Sequence, residues 1–494
     1  MEEKDELFQQ RLKKLKELRE SGINPYPNDF KIKNTTGEII ERFKGYTTGD
    51  LQKVEEVFSL AGRIMSIRNF GKAVFFHLQD RKGKIQAYLK KDLLGEEGFN
   101  LFKKMDIGDF IGIKGKVFKT HTEELTIQAE EIRLLAKSLR PLPEKWHGLT
   151  DVETRFRQRY LDLIINPKAK ETFLKRALMI RLIRDFLVER DFLEIETPMM
   201  QPLPGGALAR PFKTHHHALA MDLYLRIAPE LYLKRLIVGG WERIFEINRS
   251  FRNEGISTQH NPEFTMLEFY CTYCTYLDLM DLTEEMLCSV VKGVQGGLQF
   301  QYQGDQLDFT PPWRRVTLEE AIMEYGGVKS EVLEDKSALL KYAKELGIDL
   351  SERMNLGEIL PEIFSHVVEP HLIQPTFVTN YPIEVSPLSR RKDDHPEVAE
   401  RFELYIAGKE IANAFSELND PLDQRERFIK QMEKKGISEE GLFHIMDEDF
   451  IRALEYGMPP TAGEGIGIDR LAMVLTNSSS IREVILFPLL RKDR

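Results

Sequence analysis

Phe251-Arg252-Asn253-Glu254-Gly255 and His260-Asn261-Pro262-Glu263-Phe264 set an arginine, two acids, a histidine and an aromatic on two short extended segments joined by a polar loop. Such a site suits a nucleotide triphosphate. By strand parity Glu246, Asn248, Ser250, Arg252 and Glu254 point to one side, and Phe245, Ile247 and Phe251 to the other. The return segment repeats the pattern, with Phe264, Glu268 and Tyr270 on one face and Leu267 and Phe269 opposite. Two adjacent strands then present a polar floor, although an ordinary half-exposed hairpin reads the same way in isolation.

A second floor lies at 402–417, where Gly408-Lys409 reads as the turn between two strands. Asn413 and Glu417 share parity and Glu410 does not. Either Glu410 reaches the site from a bulged or turn-adjacent backbone, or it works apart from Asn413. Glu403 and Glu410, on paired strands, could hold a hard cation such as magnesium (Mg2+) through oxygen ligands; the alternative is two solvated carboxylates. In Ala462-Gly463-Glu464-Gly465-Ile466-Gly467-Ile468-Asp469-Arg470, alternate glycines leave one strand face bare for a flat ligand. The apolar run that follows turns helical with Arg470 in its first turn. Neither a G-x-G-x-x-G fingerprint at a strand–helix junction nor a G-x-x-x-x-G-K-[ST] loop is present, which argues against Rossmann and P-loop nucleotide sites.

The elements that must position these residues divide the chain. Residues 4–21 read as a helix with Phe8, Leu12, Leu15 and Leu18 on one stripe and basic residues elsewhere. From about 55 to 138 come short strands with Gly and charged turns, and a helix-like stretch at 93–105 separates the third from the fourth. Five strands with a helix in that place suggest an OB-fold barrel. Spacing alone would place Phe75 in its core. The prolines of 139–150 mark a linker. A helix over roughly 168–190, with Phe173, Ala177, Ile180, Ile183 and Leu187 at helical spacing, leads into Phe192–Pro198 and opens a second domain over 151–494. Residues 1–54 form the lead-in, and about 300–375 a peripheral insertion with helices.

The 494 residues, 42% hydrophobic and 30% charged, supply two or three cores of a soluble type. No apolar stretch follows Met1-Glu2-Glu3-Lys4 and no run approaches a membrane span, so a cytoplasmic protein with no membrane partner is expected. Cys271, Cys274 and Cys288 make at best half a zinc site and read as small apolar residues in a reducing compartment. His215-His216-His217 cannot all face one ion from a strand. Net charge is −9, yet residues 1–150 hold 28 Lys+Arg against 23 Asp+Glu, so basic charge concentrates where an anionic polymer would be engaged.

Taken together these segments resemble motifs 2 and 3 of the class II aminoacyl-tRNA synthetases, the Arg-x-Glu, loop, His-x-x-x-Phe pattern and the Gly-x-Gly-x-Asp-Arg pattern. Within the class the chain closely resembles the bacterial-type lysyl-tRNA synthetases. The similarity runs over nearly all of the chain, including Arg226–Arg235 and Phe415–Asp420. It implies an α+β fold: an N-terminal OB-fold β-barrel plus a class II catalytic domain built on an antiparallel β-sheet flanked by helices. The 168–198 segment resembles motif 1, the dimerisation element, which implies a homodimer; periodicity alone supports only a buried helix and strand.

The implied reaction is attack of the carboxylate of L-lysine on the α-phosphorus of ATP, giving lysyl-adenylate and pyrophosphate, followed by transfer to the terminal ribose of lysine tRNA. Such chemistry needs alignment and charge neutralisation more than a protein nucleophile. The resemblance implies Arg252 and Arg470 as catalytic residues, with Arg252 spanning the substrate carboxylate and the α-phosphate. Phe264 and Arg470 would sandwich adenine, Glu254 would accept from its amine, and His260 with Arg470 would meet the outer phosphates. Asn261 and Glu403 complete the ATP set, and Glu403 and Glu410 would hold Mg2+. For lysine it implies Glu230 and the Gly206 backbone at the α-amino group, Arg252 and Asn413 at the carboxylate, and Glu268, Tyr270 and Glu417 at the ε-ammonium. Arg68, Phe75 and Gln86 would read the anticodon, Phe75 by stacking. No DNA partner is implied. The chain departs from the family's pattern at Gln259, where arginine is common, and at His217, in place of a usual asparagine.

Three other readings compete: an aspartyl- or asparaginyl-type synthetase, a non-catalytic RNA-binding paralogue, and a paralogue that transfers lysine to a protein. The first needs a cation where this chain has Glu268 and Glu417. The second usually loses motif charges that are intact here, and the third resembles the catalytic part alone.

Overall fold

A computed structural model describes residues 2–143, 149, 151–207, 209–435 and 446–491. The chain divides into two compact units, Met1–Gly148 and Leu149–Arg494. The linker expected over 139–150 falls partly outside the described residues, at 144–148 and 150.

The first unit opens with helix α1 (Glu2–Glu20), which buries Leu15 and Leu18. Strands β1 (Phe58–Asn69), β2 (Ala73–Gln79), β3 (Lys84–Lys90), β4 (Phe110–Lys119) and β5 (Leu125–Ala136) close a barrel in the order β1-β2-β3-β5-β4, with helix α2 (Lys91–Lys103) after the third strand. Alternation along β2 sends Val74, Phe76 and Leu78 inside and leaves Phe75 and His77 half-buried on the outer face. The reading of Phe75 as core from spacing alone is therefore corrected: its neighbour Phe76 takes that place. The barrel is the OB-fold plan.

The second unit is built on an eight-stranded sheet. In chain order its strands are β6 (Leu193–Glu194), β7 (Arg243–Phe251), β8 (Glu263–Thr272), β9 (Arg314–Thr317), β10 (Thr376–Thr379), β11 (Arg401–Ile406), β12 (Lys409–Ser416) and β13 (Thr461–Gly467). In space they run β9-β10-β11-β12-β13-β8-β7-β6. Only β6/β7 and β9/β10 pair in parallel. One face is apolar, with Phe245, Leu267, Phe269, Phe402, Leu404, Ala412, Ala414 and Ile466 packed in one cluster with helices α3 (Pro167–Val188), α5 (Tyr276–Gln295) and α6 (Ile468–Leu475). Helix α3 starts on Pro167, whose fixed φ suits a first helical position. Helix α5 is opened by the Thr275/Asp278 capping box and stopped by Gly296 at φ 82°. Helix α4 (Glu230–Val238) lies elsewhere, against Ile244, Tyr270 and Phe450.

Residues 300–375 carry helices around a cluster of their own, and β9 with β10 extends the edge of the main sheet. The sheet hairpin at 402–417 corrects one expectation: Ile406 pairs with Lys409, so the turn is Ala407-Gly408, at φ 52° and 65°, one residue before Gly408-Lys409. His215 sits on a short strand paired with Asp222 at 2.8 Å. Among the described residues no helix is long and apolar enough to cross a membrane, and no group of three or more His, Cys, Asp or Glu is placed to hold a metal ion by itself.

Candidate active site

The polar face of the sheet is organised in rows. Glu246 lies opposite Glu268, Glu268 opposite Gly465, Gly465 opposite Asn413 and Asn413 opposite Glu403. The next row runs Ile244, Tyr270, Gly463, Phe415 and Arg401. Gly463 and Gly465 are thus a bare column between two flanks of side chains. A Cβ on Gly463 would run into the Glu417 carboxylate and the Tyr270 ring, and one on Gly465 would come 2.9 Å from Met266 Cε.

A bulge decides the phase of Glu410. Leu404 pairs with Ala412 but Tyr405 with Glu410, so β12 carries the extra residue Ile411. Glu410 is thereby returned to the side that carries Asn413. Of the two readings open in the sequence, the bulged backbone is the one the fold adopts.

Two cavities open on this face. One, of about 310 Å³, is lined by Gly206, Glu230, Arg252, Glu268, Tyr270, Asn413 and Glu417, which is every residue expected for the amino acid. The other, of about 270 Å³, is lined by Arg252, Glu254, His260, Asn261, Phe264, Glu410 and Arg470. Glu403 lines neither. They share Arg252, Met266, Asn413 and Gly465.

Arg252 stands at the junction. Burial pulls its guanidinium below the ordinary arginine range, against the carboxylates of Glu410, Glu254 and Glu268. Its Nε is buried without a partner, and its Cζ lies 5.1 Å from the centre of the Phe264 ring. A desolvated donor left unpaired is the kind of group a bound anion satisfies. On the opposite wall Glu417 Oε1 is a buried acceptor without a hydrogen-bond partner. Burial, then the like charges of Glu230 and Glu246, push the Glu268 carboxyl well above the ordinary carboxylate range. Tyr270 donates to Glu268 at 3.4 Å. Gly206, at φ 86°, sits against Glu230: a Cβ there would come 3.1 Å from Glu230 Cβ.

In the second cavity Arg470 donates to the Glu410 carbonyl at 2.8 Å and to its carboxylate at 3.2 Å, and lies 3.3 Å from His260 Nε2. Burial and then Arg470 hold the His260 imidazole below its ordinary value, so a neutral ring stands beside a fixed cation. The first turn of α6 is anchored by Asp469, which accepts from the Thr265 amide at 2.7 Å and pairs with Arg176 at 2.6 Å. Asn261 donates to the Glu263 carbonyl at 2.6 Å and keeps a buried Oδ1 without a partner.

Glu403 lies behind Asn413, where it accepts from Arg401 at 2.5 Å, Tyr381 at 2.8 Å and Tyr405 at 2.6 Å. Burial raises its carboxyl against the pull of Arg401, and Glu410 adds to the rise. Carboxylate oxygens are the ligands a hard divalent cation takes. Only Glu410 opens to a cavity, so such an ion would complete its shell with oxygens of a bound phosphate.

Three groups of the site were missed in the sequence. Arg401 and the Tyr381/Tyr405 pair carry no motif. Lys234 does carry a signal: it follows Glu230 by four residues on one helix, the spacing of a facing ion pair. Glu246, read as part of the chemical face, is instead buried against Arg226 at 2.6 Å and Thr197 at 2.6 Å.

On the barrel, Arg68 pairs in register with Phe75, and Phe75 with Tyr88, on the outer face. Phe70, Phe75, Tyr88 and Phe118 form a continuous aromatic strip with centroid separations of 6.0, 4.7 and 5.8 Å. Gln86 is buried, donating to Glu124 at 2.8 Å and accepting from Thr126 at 2.9 Å, which orients its amide and leaves it a second N–H and a second lone pair.

Residues 151–491 match the family model described as class II tRNA synthetases (D, K and N), and residues 58–135 match the OB-fold nucleic acid binding domain. The chain is 55% identical over 490 residues to a lysine–tRNA ligase of Carboxydothermus hydrogenoformans, covering 99% of each. It is 54% identical over 491 residues, again 99% of each, to a lysine–tRNA ligase of Moorella thermoacetica. A third, from Syntrophomonas wolfei, is 55% identical over 486 residues, 98% of this chain and 97% of its own.

Proposed function

The chain belongs to the class II tRNA synthetases of the D, K and N group, and on that premise we propose how its two cavities divide the work of a lysine–tRNA ligase. The observation that carries the reading is that an acid-walled cavity and a cation-walled cavity meet on Arg252. L-Lysine occupies the first, with its α-ammonium at Glu230 and the Gly206 backbone and its ε-ammonium at Glu268, Tyr270 and Glu417. Its carboxylate lies at Arg252 and Asn413. ATP occupies the second, with adenine against Phe264 and Arg470, its amine at Glu254, and its phosphates toward His260, Asn261 and Arg470.

The lysine carboxylate then attacks the α-phosphorus, pyrophosphate leaves, and lysyl-adenylate remains. Arg252 faces both reacting groups and stabilises the charge that grows on the phosphoryl oxygens. Arg470, tied to Glu410, holds the outer phosphates. No side chain need become covalently attached. Glu410, with Glu403 behind it, would hold Mg2+ brought with the triphosphate; the ion supplies neutralisation of the leaving pyrophosphate. The lysyl group passes to the terminal ribose of lysine tRNA, whose anticodon lies on the barrel face at Arg68, Phe75 and Gln86.

Motif 1 supports a homodimer: Leu193, Met199 and Met200 are exposed apolar residues beside α3. We place the enzyme in the cytoplasm with its tRNA, consistent with three cysteines that form no disulfide. The test is exchange of labelled pyrophosphate into ATP with each of the twenty amino acids. Lysine should drive it alone, and equal exchange with aspartate or asparagine would overturn the specificity.

A further inference from the structure

Behind the wall of the lysine cavity lies a cation of the protein's own. Lys234 is fully buried on α4, its Nζ 2.6 Å from Glu230 Oε1 and in a close ion pair with Glu417 Oε2. The ring of Phe415 lies 5.4 Å from the same ammonium. A buried ammonium is stable only with such partners. Here the partners are two of the carboxylates assigned to the two ends of the substrate, so one side chain ties both ends of the pocket together.

Charge accounting gives that tie a purpose. Among the ionisable groups that line the cavity, Asp447 is matched by Arg235 at 2.6 Å and Arg401 by Glu403 at 2.5 Å. Glu464 turns its carboxyl to the other face of the sheet, onto Thr283. Glu246, behind Glu268, is matched by Arg226. Among the described residues the remaining lining groups have no ion-pair partner other than Lys234: Glu230, Glu268 and Glu417 on the acidic side and Arg252 on the other, with the Tyr270 hydroxyl on Glu268. We propose that Lys234 is a specificity-determining positioning residue: it holds Glu230 and Glu417 as a fixed pair and leaves the pocket the net charge that two ammonium groups require. Three carboxylates less one ammonium leave two negative charges for the α- and ε-ammonium, and Arg252 meets the carboxylate. Because Lys234 takes Oε2 of Glu417, the unpaired Oε1 is the atom left for the ligand.

This inference rests on the lysine reading above. It is tested by the pH dependence of KM for lysine in pyrophosphate exchange, for the whole wild-type enzyme and for Lys234→Met and Lys234→Arg. In the wild type Glu268 and Glu417 must both be ionised when lysine binds; burial pushes Glu268 well above the ordinary carboxylate range and Glu417 up to about 8 against the pull of Lys234, so KM falls with rising pH and the Glu417 contribution ends near pH 8. Without the internal ammonium Glu417 holds its proton to higher pH, so above pH 8 the fall in KM is steeper than in the wild type by about one proton. Lys234→Met should also raise KM for lysine roughly a hundredfold or more, as expected when one partner of a buried pair is removed, with KM for ATP little changed. Lys234→Arg, which restores the charge, should keep the wild-type profile. An unchanged slope in Lys234→Met, or a parallel rise in KM for ATP, would overturn the inference. Should that variant not fold, calorimetry of lysine binding to the wild type between pH 7 and pH 9 in buffers of different ionisation enthalpy still decides: proton release that drops by about one through pH 8 supports it, and release that stays constant through pH 8 sinks it. Absence of lysine-driven exchange in the wild type would instead refute the lysine reading itself.

Discussion

At the scale of residues, Arg252 lines both cavities, and its chemistry differs from that of an ammonium. A guanidinium offers a planar fork of donors that can span a carboxylate and a phosphoryl oxygen together, whereas an ammonium is a point charge. Burial and the unpaired Nε mean that its donors are desolvated before substrate arrives. Arg252→Lys keeps the charge and loses the fork. Its kcat in lysine-dependent exchange should therefore fall by about 10²–10³, the range for removal of one preorganised donor, with a smaller change in KM for ATP. A kcat within a factor of a few of wild type would mean that Arg252 supplies charge alone. Lys234 belongs to the same scale: a buried lysine beside two glutamates reads from sequence as a helical i,i+4 pair, and only the tertiary fold adds Glu417 as the third member.

At the scale of elements, what was legible and what was not separate along physical lines. The alternation on 243–251 and 263–272 fixed which side chains share a face, because a strand's period of two allows no other phase once its core side is known. The glycine column of β13 was legible for the same reason. The Ile411 bulge was not, since an extra residue in one strand is set by its partner's register and leaves no mark in parity. The burial of Glu246 on the polar face and of Glu464 on the core face was equally hidden, because burial of a polar group depends on what packs over it. Glu464 lies on the core side of β13, where it accepts from Thr283 at 2.6 Å and keeps an unpaired Oε1. Burial raises its carboxyl from 4.5 to about 8, with Thr283 opposing. A folded-state pKa above the unfolded one means that the folded protein holds the proton more tightly. Stability from this group is then fully present below pH 4.5 and is lost as pH rises through about 8. Glu464→Gln removes the titration, so the melting temperature of the variant relative to wild type should climb between pH 5 and pH 9. It should end higher at pH 9 by the equivalent of a few kcal/mol. A difference that stays flat across that range would show Glu464 to be charged in the fold.

At the scale of the whole molecule, two units with separate cores carry two separable tasks. The two cavities proposed for lysine and ATP are lined by residues of the second unit alone. Recognition of tRNA also needs a surface for unstacked bases, and the strip of Phe70, Phe75, Tyr88 and Phe118 is such a surface, on a unit with a basic surplus. Phe75 is the centre of that strip, while Phe76 beside it holds the barrel core, so truncating Phe75 removes a stacking face and leaves the fold. Loss of one stacked base contact is worth about 1–3 kcal/mol, or roughly a five- to 150-fold rise in KM for lysine tRNA. Phe75→Ala should show that rise in aminoacylation and leave pyrophosphate exchange, which involves no tRNA, unchanged. Phosphate contacts through Lys and Arg would add a steep salt dependence to KM for tRNA that persists in the variant, because stacking and counterion release are independent contributions. If exchange fell together with aminoacylation, Phe75 would be supporting the protein's structure; if neither changed, the anticodon would lie on some other face of the barrel.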